Sequence, residues 1–148
     1  MTPHSDPARP SLILLDTHVL VWLIFGDTKL GRNAREAIGI ALGDARGVVS
    51  AITPWEIGVL VSKKRIDLFQ DVMGWMRSAL TLPGVTLAQL EPEIAVASTR
   101  LPFEIHADPA DRILVATARH LGATLVTADE ALLGLAEKGC FRALDARI

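Results

Sequence analysis

Four carboxylates stand at positions from which a chain can hold a metal ion. Asp16 and Asp129 close two short apolar runs, Leu12-Ile13-Leu14-Leu15 and Thr124-Leu125-Val126-Thr127. Glu56 and Asp111 each come two residues after a proline and three after a Thr or Asp, a pattern that opens a helix. Successive members of this set are 40, 55 and 18 residues apart. In an open parallel sheet, strand ends and the following helix starts share one edge, where ligands bind. The four acids can therefore converge on one pocket. Two like charges ~4 Å apart repel by about 4 kcal/mol at an effective dielectric of about 20, so such a cluster must take up protons or bind a cation. All-oxygen donors favour a hard ion, Mg2+ or Mn2+, over zinc. An ion of that kind lowers the pKa of water and offsets charge on a phosphodiester under attack, which is hydrolysis without a His or Cys nucleophile.

Each acid also has a purely structural reading. Glu56 fits a capping box with Thr53 and sits where a helix dipole favours negative charge. Asp111 holds the same helical position, with Asp108 as its cap. Asp129 can cap a helix through Ala131-Leu132-Leu133. Asp16 is harder to explain as structure alone, because a lone carboxylate between an apolar strand and an apolar helix is seldom a solvated charge. Capping accounts for the acids one at a time more readily than for all four together.

The elements that would position these acids follow from apolar periodicity and turn residues. Strand-like runs at 12–15, 47–50, 85–87, 124–127 and about 141–144 alternate with helical stretches. The helical stretches follow Asp16, run over 32–42, start at Thr53, run over about 68–80 and 92–100, and start at Asp108. This alternation predicts an α/β fold of three layers, α/β/α, around a mainly parallel sheet. Residues 1–10, with three prolines, read as a flexible tail, and 11–148 as a single domain. Half the residues are hydrophobic and the mean hydropathy is +0.35, which suggests apolar surface covered by a partner. Cys140 is the only cysteine, so an intramolecular disulfide and a cysteine-based zinc site are excluded. No secretory signal is evident, and the apolar stretch 12–25 is too short and too interrupted to span a bilayer. A cytoplasmic protein is expected. The net charge of −2 and pI of about 6.1 exclude a generally basic nucleic-acid coat protein, so any nucleic acid must be held by a local patch and a metal.

Four segments resemble the motifs of the PIN-domain family, in particular its VapC-type toxins. They are Leu14-Leu15-Asp16-Thr17-His18-Val19-Leu20, Ser50-Ala51-Ile52-Thr53-Pro54-Trp55-Glu56, His106-Ala107-Asp108-Pro109-Ala110-Asp111-Arg112 and Leu125-Val126-Thr127-Ala128-Asp129. They occur in the family's order and the resemblance spans residues 12 to 145. It implies a PIN-like α/β/α domain and a metal-dependent endoribonuclease that acts as the toxin of a toxin–antitoxin pair. It also implies homodimers, neutralisation by a small VapB-like antitoxin, and contact with operator DNA only through that antitoxin. Carried over, Asp16, Glu56, Asp111 and Asp129 become the metal-binding acids of catalysis, with Asp16 and Asp111 the first candidates for direct ligands and the other two acting through water. Thr17 and Thr127 become residues that orient a carboxylate or water. Ala110 departs from the family, where a bulkier aromatic is common.

Arg112, beside the expected site, is a candidate RNA contact, ahead of the Lys63-Lys64-Arg65 cluster, whose simplest reading is a solvated helix end. His18 and His106 read more simply as structural, and Trp22 and Trp55 as core or interface anchors. Leu68, Val72, Trp75, Met76 and Leu80 share helical spacing, either as core or as a groove for an antitoxin helix. Two alternatives compete with the nuclease. A haloacid-dehalogenase-like phosphatase needs a second Asp two residues after the first, where this chain has His18. An inactive PIN-like or receiver-like module would bind a metal and a partner without cleaving anything.

Overall fold

A computed structural model describes residues 10–148; apart from Pro10, the expected tail 1–10 lies outside the described residues. The elements in chain order are β1 (Ile13–Leu15), α1 (Thr17–Phe25), α2 (Arg32–Gly43), β2 (Gly47–Ser50), α3 (Thr53–Ser62) and α4 (Val72–Leu80). They continue with β3 (Val85–Ala88), α5 (Pro92–Ser98), α6 (Pro109–Leu121), β4 (Thr124–Thr127), α7 (Glu130–Glu137) and β5 (Arg142–Asp145).

The five strands form one sheet in the order β3-β2-β1-β4-β5, with every pairing parallel. Parallel strands are joined by helical crossovers that cover both faces, so their residues are buried on both sides. Alternate residues serve opposite cores. Ile13, Leu15, Val49 and Val126 pack with side chains of α1 to α4, while Leu14, Val48 and Leu125 pack with α6 and α7. The result is the expected three-layer α/β/α arrangement, with α5 lying against α6.

The strand order reverses direction at β1. The chain first builds outward through β2 and β3, then returns to place β4 on the other side of β1. That reversal opens a crevice beyond the carboxyl ends of β1 and β4, the place where open α/β sheets bind ligands. Asp16 follows β1 directly and Asp129 comes two residues after β4, so both acids lie at this crevice.

One helix begins elsewhere than the sequence pattern predicts, and another is capped differently. α4 starts at Val72, not near Leu68, because Asp71 caps it by accepting from the Gly74 amide at 3.0 Å. Just upstream, Asp67 accepts from the Phe69 amide at 2.7 Å, and Phe69 adopts a φ of 58°. These local side-chain bonds offer the backbone an alternative to the helix. α3 begins at Thr53 itself, with Ile52 as its cap residue and no side-chain capping bond. Leu68, Trp75 and Met76 of the predicted stripe are buried in the core. Among the described residues, no helix is long and apolar enough to cross a membrane.

Candidate metal centre

Asp16 is 9% exposed, and both of its oxygens are held. Oδ1 accepts from the Thr17 amide at 2.7 Å, and Oδ2 accepts from the Thr127 hydroxyl at 2.6 Å. The second bond ties the end of β1 to the end of β4 across the point where the sheet reverses. The Thr127 hydroxyl in turn accepts from the Asp129 amide at 3.1 Å. One buried hydroxyl thus orients the Asp16 side chain and the backbone that carries Asp129.

The Thr17 hydroxyl donates to Glu56 Oε1 at 2.5 Å. Since that proton is committed, the 3.3 Å contact between the Thr17 and Thr53 hydroxyls has Thr53 as donor. Glu56 is therefore aimed at the crevice by a residue of α1 and does not close a capping box on its own helix. Asp111 lies in the first turn of α6. The Asp108 side chain caps that helix, accepting from the amides of Ala110 at 2.9 Å and Asp111 at 3.3 Å. The Asp111 carboxylate meets His106 Nε2 at 2.6 Å. Asp129 caps α7 through the Leu132 amide at 3.0 Å and also faces the crevice. Its capping role and its place at the site are compatible, because one carboxylate oxygen suffices for the cap.

Asp16, Glu56, Asp111, Asp129 and Asp108 line one cleft of about 610 Å³. Glu56, Asp108 and Asp111 each offer a donor atom within 4.8 Å of the others, and His106, Asp111 and Asp129 do the same. Asp111 belongs to both sets. Asp16 belongs to neither, yet its charge reaches Glu56 and Asp111. Burial pushes the Glu56 carboxyl up to about 7, with the charges of Asp16, Asp111 and Asp108 adding to the effect against the Thr17 bond. Burial likewise pushes Asp111 up to about 6, opposed by the bond to His106 and helped by its acidic neighbours. Burial also raises Asp16, against the bonds from Thr127 and Thr17. A cation placed among these acids would offset the charge that burial and their mutual repulsion disfavour. Carboxylate oxygens with a single imidazole are a donor set for a hard divalent ion, so the residues present fit Mg2+ or Mn2+.

Two contributors stand outside the four acids singled out by sequence. Asp108 reads as a plain helix cap and His106 as structural, but both offer donor atoms to the cluster. The signal was a His-x-Asp-x-x-Asp spacing over 106–111 leading into a helix start, which places three potential donors within six residues. Arg112 has a different employment from an open rim cation. Its Nε donates to the His106 carbonyl and its Nη2 to the Ile105 carbonyl, both at 3.1 Å, so it clamps the loop that carries His106.

Residues 13–138 match the PIN domain family. Ribonuclease VapC22 of Mycobacterium tuberculosis (strain ATCC 25618 / H37Rv) is 34% identical over 120 residues, which is 81% of this chain and 88% of that protein. Among solved structures, VapBC2 from Rickettsia felis bound to a promoter DNA fragment superposes with a TM-score of 0.65 at 14% identity, covering 90% of this chain and 97% of the other. DNA-bound VapBC from Salmonella typhimurium gives 0.64 at 17% identity, covering 92% and 98%. At those identities the two structures share the fold.

Proposed function

The chain belongs to the PIN-domain family, and from that premise we propose that it is a divalent-metal-dependent endoribonuclease, the toxin of a toxin–antitoxin pair. The observation that carries this reading is Asp111 shared between two sets of converging donors, at the crevice where the sheet reverses. A hard divalent ion, Mg2+ with Mn2+ as the alternative, supplies charge neutralisation at a phosphodiester and a nucleophile at neutral pH. Asp111, Glu56, Asp129 and Asp16 are the acids proposed to hold it, with Asp108 and His106 as further donors. Thr17 and Thr127 keep Glu56 and Asp16 in place, so that the carboxylates need not reorganise when the cation and substrate arrive. Arg112 acts on the site through the loop it clamps. RNA is the proposed substrate, in line with the ribonuclease it resembles.

One domain over 11–148 would do this work in the cytoplasm, as a homodimer held inactive by a small VapB-like antitoxin. Operator DNA would be contacted through that antitoxin. Family membership removes the phosphatase alternative. The test is incubation of the purified chain with a mixed RNA pool. Cleavage with Mg2+ that disappears in EDTA and in Asp111→Asn is the expected result. A folded chain that leaves the RNA intact at saturating Mg2+ would make it an inactive module.

A further inference from the structure

Trp55, one residue before Glu56, is 56% exposed and lines the same cleft as the acids. A ring of that size left open beside a polar crevice is neither core nor cover for the core. Further along, α3 presents half-buried Val59 and Leu60, and the turn that follows it carries the exposed cations Lys63 and Arg65, all on the cleft wall. Among the described residues no carboxylate pairs with either cation. About 12 Å of helix separates Trp55 from Lys63, within reach of a short single strand.

The geometry points to α3 as the RNA-reading wall of the cleft: Trp55 stacks on a base beside the scissile phosphate, and Lys63 and Arg65 hold phosphates farther along the same strand. This deepens the ribonuclease reading and rests on it. An aromatic face takes any base, while flanking cations take the backbone, which is how single strands are held without strict sequence readout. A protein partner seated on Trp55 would use the ring and the apolar residues beside it. It would have no need of an acidic floor at one end and unpaired cations at the other, whereas RNA uses all three. The wall also supplies what the net charge of −2 lacks, a local basic patch next to the acids.

The test is the binding of a fluorescein-labelled, mixed-sequence single-stranded RNA octamer in EDTA, followed by anisotropy over a range of salt, with cleavage in Mg2+ run alongside. Trp55→Ala is expected to weaken binding by about tenfold, and Trp55→Phe to recover most of it, because the ring face is what stacks. Lys63→Ala with Arg65→Ala is expected to flatten the slope of log affinity against log salt by about 1.4, the contribution of two phosphates on a single strand. In cleavage, Trp55→Ala raises KM with kcat little changed, and replacing a base near the cut by an abasic residue harms the wild type more than Trp55→Ala. Wild-type affinity in Trp55→Ala, with an unchanged salt slope in the double variant, overturns the inference and leaves Trp55 to a protein partner. If the wild type cleaves in that same experiment, the ribonuclease reading stands. If the wild type neither binds nor cleaves RNA, both fall.

Discussion

Thr17 is fully buried, yet its hydroxyl donates to Glu56 and its amide donates to Asp16. It couples two acids that lie 40 residues apart in the chain. Replacing it by valine keeps the volume and removes the hydroxyl, leaving Glu56 without its donor. Thr17→Val is expected to fold and to lose roughly 10- to 100-fold in kcat, measured on RNA in Mg2+; an undiminished rate would show that the hydroxyl positions nothing. The raised acids make a second prediction. An acid whose pKa rises on folding binds its proton more tightly in the folded chain, so the metal-free protein is most stable below the unfolded values. Those values are 3.8 for Asp111 and 4.5 for Glu56, and stability falls as pH climbs through about 6 and about 7. In EDTA the Tm at pH 5 should exceed that at pH 8, and Mg2+ should restore much of the loss at pH 8. A Tm that rises with pH over that range in EDTA would contradict the strained cluster. For the same reason Asp111→Asn, which removes one of the crowded charges, should leave the metal-free Tm unchanged or raised while abolishing cleavage. A large fall in its metal-free Tm would speak against repulsion at the site.

At the scale of elements, what was legible in the sequence was local. Prolines at 54, 92 and 109 and the caps at Asp108 and Asp129 mark helix starts within the chain, and apolar strands mark the sheet. What was not legible depends on packing between distant segments. Glu56 satisfies a capping-box pattern, and only the approach of α1 to α3 shows that its partner is Thr17. Arg112 reads as a rim cation until the loop before α6 folds back under its guanidinium. Trp55 reads as an anchor until α3 turns it outward into the cleft. Arg112→Ala should free that loop and raise the Mg2+ concentration needed for half-maximal cleavage. Recovery by Lys would be incomplete, since one ammonium does not reproduce the fork that reaches two carbonyls. The frame behind the site can be tested separately at Gly84, before β3. Its φ is +84°, its carbonyl accepts from the Gly47 amide at 2.9 Å, and a Cβ there would lie 2.0 Å from the Leu42 carbonyl oxygen. Gly84→Ala should cost at least ~2 kcal/mol and lower the Tm by about 5 °C or more, read by calorimetry. A Tm equal to wild type would mean that the junction of α2 and β3 yields more easily than its contacts indicate.

For the molecule as a whole, the topology explains why residues spread over more than a hundred positions act together. A wholly parallel sheet that reverses its winding at β1 brings the ends of β1 and β4 and the starts of α3 and α6 to one crevice. The buried bond from Thr127 to Asp16 locks the two halves at that point. The acids gathered there repel one another unless a cation joins them, and holding that cation is the central claim. The most direct measurement is a calorimetric titration of Mn2+ into EDTA-stripped protein at pH 7.5, alongside Asp111→Asn and Glu56→Gln. Saturable binding by the wild type that is lost or greatly weakened in both variants is the predicted result. Equal Mn2+ affinity in the wild type and in Asp111→Asn would contradict it.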